Sequence, residues 1–370
     1  MTTTMTSTME APVKNLEANY TSHPSELVKG GEVNSKYTSQ DLRNAIPAHC
    51  FKPSYFWSFF YLARDLLVSG TLMYAAYSYI PQIELPLARW VAWAAYGYVQ
   101  GQQMTGIWMG KYASLMGIDV EHIEEMAEDS PLYTFARMVF QQIVGFPWYL
   151  TANITATQGS LANKNPPSKY PLGNSHFLPT SALFRPEEWH LILASDIGIG
   201  LTMLGIWYAS TIVGGQAVAL LYVMPYMWVN HWIVAITYLH HTHPDIPKYE
   251  PEAWTFLKGA TATVDRGLGF GGKHLMHNIA DYHVIHHIFS RIPQYYAEEA
   301  TKAIMPLLGD SYHEDKERSF WYCMWESFTQ CQYVVPDDPT AKPENRAMYY
   351  KGGPSPPIEI SMGRGGLKME

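Results

Sequence analysis

Three histidines at helical spacing, His283, His286 and His287, carry the most pointed chemistry of this 370-residue chain. They stand in the run Asp281-Tyr282-His283-Val284-Ile285-His286-His287, downstream of Leu239-His240-His241-Thr242-His243. Nine of the fifteen histidines fall between His231 and His287, which is far from an even scatter. Positions i, i+3 and i+4 of a helix share a face, so the three imidazoles would aim at one object. A single histidine near a membrane surface is ordinarily a satisfied hydrogen-bonding group, but three at ligand spacing, with more upstream, point to a metal. Neutral imidazole suits Fe, Zn, Cu and Ni alike, so the pattern does not choose among them.

The elements that must position these residues read as membrane helices. Only 16% of residues are charged, against 12 Trp, 26 Tyr, 14 Phe and 18 Met, a composition that departs from a soluble globular chain. Four apolar runs, about 55 to 80, 88 to 109, 191 to 213 and 216 to 239, are each long enough to cross a hydrocarbon core of roughly 30 Å as a helix. Trp and Tyr gather at their ends (Tyr55, Trp57, Trp90, Trp93, Trp228, Trp232), where amphipathic rings belong at headgroup level. The segment from Phe140 to Asn153 is apolar but short and carries Gln141, Gln142 and Pro147, the pattern of an interfacial helix. Arg64 and Asp65 lie inside the first run and require an interface or a partner within the bundle. If Lys273 to Phe289 formed one helix, His274 and His277 would point away from the three-histidine face, which excludes them from the ligand set. His231 lies within the last run, where an interhelical hydrogen bond or a functional role would account for it, and His240 and His243 flank His241 to position it or to face water.

Lys14, Lys29, Lys36, Arg43 and Lys52 precede the first run, while Pro81 to Leu87 has no Lys or Arg. The positive-inside rule then puts the N-terminus in the cytosol, and four crossings return the chain to that side at His240. Both termini and the histidine cluster are therefore expected there, leaving the sequons at Asn19 and Asn153 unused. Residues 1–35 are Thr-, Ser- and Glu-rich without an apolar core, which predicts a disordered segment and no cleavable signal peptide; residues 336–370 are Pro/Gly-rich and predict a loose tail. Cys50, Cys323 and Cys331 form no CxxC pair. A net charge of −8, with no basic stripe, argues against nucleic acid as a partner.

Three separated motifs, in order, carry a family resemblance. Pro225 to Pro244, containing His231 and His240-His241-Thr242-His243, is followed by Glu252-Ala253-Trp254-Thr255-Phe256 and then His283-Val284-Ile285-His286-His287. With Leu42-Arg43-Asn44-Ala45-Ile46-Pro47-Ala48-His49-Cys50-Phe51 upstream, these resemble the integral-membrane fatty-acid desaturases, closest to the fungal delta-12 (oleate) type, from residue 42 to about 336. The resemblance implies an all-α, four-span fold with a cytosolic helical cap over residues 36–335. It further implies two irons held by histidines, O₂ and a cytochrome b5-type electron donor, an acyl-lipid or acyl-CoA substrate, and residence in the endoplasmic reticulum. His283, His286 and His287 match the family's third histidine box and His241 its additional ligand after the last span. No catalytic residue separate from these metal ligands is implied.

One departure matters more than any match. The family's first box, His-Glu-Cys-Gly-His after the second span, and its second, His-x-x-His-His, are both missing: Met104 to Gly110 continues straight into Lys111-Tyr112-Ala113-Ser114. The only histidine between His49 and His176 is His122, in an acidic run that reads as a solvated helix face. An internal loss near residue 110 keeps the span count and orientation but leaves an incomplete iron site. The readings that follow are a delta-12-type desaturase whose activity in this form is in doubt, a fatty-acid acetylenase, a catalytically inactive homologue that binds acyl chains or partners as a scaffold, and a haem- or zinc-binding membrane protein.

Overall fold

A computed structural model describes residues 37–112, 131–153, 171–250 and 252–352. The predicted disordered N-terminal segment, His122 with its acidic run, and the chain beyond Gly352 lie outside the described residues.

Helices dominate. After α1 (Ser39–Ala45), the first two apolar runs form α2 (Tyr55–Tyr79) and α3 (Pro86–Tyr112), and α4 (Pro131–Ala152) follows. The third run is α5 (Trp189–Val213); the fourth passes through a short helical turn and a π-turn over 215–223 into α6 (Met224–His241). The expected short interfacial helix is thus the second half of a longer α4, which carries Pro147 inside it. Two helical stretches, Pro186–Val213 and Gly215–His241, are long and apolar enough to cross a membrane. α5 buries none of its residues, leaving Leu191, Ile197, Leu201, Met203, Leu204, Trp207 and Ile212 outward. A 25-residue apolar helix of which the described residues bury none suits a lipid surrounding.

α3 packs on α6 through small residues. A side chain at Gly97 would collide with Met224, and one at Gly101 would overlap Trp228. This Gly-x-x-x-Gly spacing lets the backbones approach closely. One turn further on, Gly106 abuts the carbonyl of Leu275, which docks the cap directly on α3.

The cap contains α7 (Phe256–Thr261), α8 (His283–Ile288), α9 (Ala297–Leu308), α10 (Phe320–Gln330) and two small sheets. In one sheet, β2 (Val264–Arg266) pairs in parallel with β3 (His313–Asp315). In the other, β5 (Ala347–Lys351) lies between β1 (Lys248–Tyr249) and β4 (Tyr333–Pro336), antiparallel to both. The stretch expected to be a loose tail from residue 336 therefore holds the central strand of a sheet. Its Pro and Gly residues flank Ala347-Met348-Tyr349-Tyr350-Lys351, whose backbone groups are satisfied by two neighbours.

Arg64 and Asp65 are accommodated by pairing. Asp65 is 3% exposed; its Oδ1 accepts from Arg64 and its Oδ2 accepts from His277 Nε2 at 2.8 Å. His277 Nδ1 faces Gln294 Nε2 at 3.2 Å, so that nitrogen accepts and Nε2 carries the proton. Asp65→Ala would leave His277 and Arg64 without their buried acceptor. The expected loss is about 3–5 kcal/mol, read as a lower melting temperature in detergent with partial recovery in Asp65→Asn. An unchanged melt would show that the pair is dispensable.

Candidate metal centre

The histidine-bearing segment is not one helix. After a π-turn over Gly271–Leu275, His277 and Asn278 take φ of 55° and 61°, and only then does α8 begin. Two consecutive non-glycine residues in the left-handed region interrupt any helix. The break turns His277 toward Asp65, whereas His274 is exposed, beside Phe270. Neither lies in the histidine group.

Within α8, His283 and His287 are one turn apart and their Nε2 atoms are separated by 3.1 Å. His283 Nδ1 donates to the carbonyl of Ile279 at 2.9 Å, which leaves Nε2 as its lone-pair nitrogen. His241, the last residue of α6, meets both rings: centroids lie 4.5 Å from His287 and 5.5 Å from His283. Its Nδ1 sits 3.3 Å from Thr263 Oγ1. With Nδ1 so engaged, Nε2 is the nitrogen free to coordinate. One donor atom from each of His241, His283 and His287 falls within 4.8 Å of the others.

His286 stands beside this group rather than in it, its ring 5.7 Å from that of His283 and 5.5 Å from that of His287. At about 100° per residue, His286 and His287 straddle His283 on opposite sides, and the α6 terminus approaches from the His287 side. Burial pushes His286 down to about 4 and, with His286 beside it, His287 down to about 3; His283 is held well below the ordinary histidine range by burial first and by its neighbouring imidazoles. These rings are neutral at pH 7, the form that binds a metal.

Three neighbouring histidines act as braces. Both ring nitrogens of buried His240 face carbonyls, Ile236 O at 2.7 Å and Ala280 O at 3.0 Å. His243 Nε2 lies 2.9 Å from Arg318, within a network completed by Asp315 and Glu326. His231 is enclosed by Trp228, Trp232 and a stacked Trp321. A separate donor group, His49, Cys50 and Glu299, joins the Ala48–Phe51 turn to α9, with His49 and Glu299 already paired at 2.9 Å.

The three-imidazole group fits one metal ion. Two nitrogens bound at about 2.1 Å, about 95° apart, would lie ~3.1 Å from each other, the spacing of His283 and His287. It does not fit two. Among the described residues two further imidazoles lie beside this group, His286 and His240, and both ring nitrogens of His240 already face carbonyls, which leaves too few donors for a second ion.

The comparisons with known proteins decide the family. The model for "Fatty acid desaturase" matches residues 118–319. A delta(12)-fatty-acid desaturase of Arabidopsis thaliana is 33% identical, with 80% of this chain and 87% of the relative aligned. The chain belongs to the fatty-acid desaturase family. It is also similar to a delta(12) fatty acid desaturase of Mortierella alpina, at 31% identity over 81% of this chain and 88% of the relative. An oleate hydroxylase of Claviceps purpurea is 32% identical over 81% of this chain and 78% of the relative. As a desaturase-family member the chain is a membrane oxidoreductase of lipid metabolism, which bears out the resemblance carried by its motifs.

Sequence reasoning missed the supports of the site. Thr263, Asp265 and Arg266 form a short polar burst after Ala262 that reads as a loop, and only their burial, two charged residues within a three-residue strand, marks them.

Proposed function

We propose that this chain is a delta-12-type homologue, related to enzymes acting near carbon 12 of an oleoyl-type chain, that in this form holds one metal ion and does not desaturate. The observation that carries the reading is the single three-imidazole group formed by His241, His283 and His287. The substrate class rests on names: desaturase and hydroxylase relatives share oleate or position 12. His286 joins the metal ligands when the missing boxes supply the rest of the set. Iron, when bound, would supply dioxygen activation, with electrons from a cytochrome b5-type donor and an acyl lipid or acyl-CoA as substrate. The protein's own part is to hold neutral imidazoles together in a partly buried cluster.

An internal loss of chain is in keeping with the alignments. That with the Mortierella alpina relative runs over 366 positions yet takes in 81% of a 370-residue chain, so the relative has stretches with no counterpart here. An absorbance spectrum of purified protein separates this reading from a haem protein. No Soret band is expected, and a strong one would end the desaturase assignment.

The same reading takes α2, α3, α5 and the 215–241 segment as four spans in the endoplasmic reticulum, with both termini cytosolic. Neither Asn19 nor Asn153 is then expected to carry glycan. A glycosidase-sensitive mass shift abolished by Asn153→Gln would refute this orientation.

A further inference from the structure

His241 closes α6 and His283 opens α8, 42 positions later in the chain. Something between them must set the distance across the pocket. The segment Thr263 to Arg266 touches both sides. Thr263, fully buried, places Oγ1 3.3 Å from His241 Nδ1. Asp265, also fully buried, accepts the Val284 N–H on Oδ1 at 2.8 Å and the Tyr312 hydroxyl on Oδ2 at 2.6 Å. Arg266 donates its backbone N–H to Ala280 O at 2.9 Å and its Nε–H to Leu239 O at 3.0 Å. Its guanidinium is anchored by Asp315 at 2.6 Å, and β3 lines the other edge of the strand.

We propose that Thr263, Asp265 and Arg266 are positioning residues of the metal centre, on β2 and the residue just before it, that register His241 of one helix against His283 and His287 of the other. The inference rests on the reading that these histidines hold an ion. Three contacts divide the task. Thr263 fixes the ring of His241 and keeps its coordinating nitrogen unprotonated by taking the Nδ1 proton in a hydrogen bond. Asp265 holds the first turn of α8 through a backbone N–H that has no partner within the helix. Arg266 ties the end of α6 and the turn before α8 to one guanidinium and one amide. Fully burying a carboxylate is costly unless its oxygens are satisfied, and here one is satisfied by the Val284 N–H of the histidine helix and the other by the Tyr312 hydroxyl beside β3.

The test is Co²⁺ binding by the full chain in detergent, followed by its visible absorption, in a His49→Ala background that removes the other donor group. Thr263→Val keeps the shape of the side chain and removes the hydroxyl. It is expected to weaken Co²⁺ binding about 10- to 100-fold and alter the absorption bands at an unchanged melting temperature, with Thr263→Ser restoring both. Asp265→Ala is expected to lose a similar factor, whereas Asp265→Asn, which keeps an oxygen for Val284, stays within a few-fold. Should Asp265→Ala fail to accumulate in the membrane, the Thr263 pair carries the test alone. Thr263→Val binding Co²⁺ with the affinity and spectrum of the parent would overturn the proposal. A parent chain that binds no Co²⁺ would instead overturn the single-ion reading beneath it.

Discussion

Expressed in yeast that makes no linoleate of its own, this chain is expected to leave the fatty-acid profile indistinguishable from the vector control. Cleaving an unactivated C–H bond in an acyl chain needs the complete metal centre of the family, which the resemblance puts at two irons. The folded chain brings three ring nitrogens together, from His241, His283 and His287, and keeps His286 to one side. A partly coordinated ion is bound weakly and placed poorly, and both errors fall on the chemical step. Reinsertion of a relative's first and second boxes at the junction between Met109 and Tyr112 is expected to restore linoleate. Linoleate above the control from the unaltered chain would show that a smaller ligand set suffices.

The second large effect separates His286 from its neighbours. In the chain as written, His286→Ala is expected to change single-ion affinity by no more than about threefold, because its ring lies outside the donor group; His283→Ala should lower it by on the order of 100-fold. In the version carrying both boxes the order changes. There His286→Ala is expected to abolish retained iron and linoleate formation while the protein still accumulates in the membrane, as the family role of the third box implies. Full activity of that variant would remove His286 from the ligand set, and loss of the protein itself would make it structural. The comparison therefore reads the same residue in an incomplete and a complete site.

Much of the helical framework was legible because apolar runs of membrane length leave few alternatives. The run placed at 55 to 80 is a helix over Tyr55–Tyr79, and that at 191 to 213 is one over Trp189–Val213. The grouping of His283 with His287 was legible too, since helical spacing brings them onto one face. What the sequence concealed was the break before α8. His277 and Asn278 are residue types that tolerate the left-handed region better than most, but an apolar and histidine periodicity read as one helix hid the break, which the packing of Gly106 against Leu275 and of His277 against Asp65 accompanies. Strands of two to five residues carry too little alternation to be read, so β2 and β5 were invisible. The pairing of Arg64 and Asp65 could be required from cost alone; that the cap would supply His277 could not. The choice of His287 over His286 as the partner of His241 depends on the side from which α6 arrives, a tertiary fact.

The iron content of purified protein, counted per chain after reconstitution with Fe²⁺ under reducing conditions, tests the central claim most directly. At most one iron is expected for the chain as written, lost on His283→Ala, and two for the version with both boxes restored. Two irons per chain in the unaltered protein would contradict the single three-imidazole site.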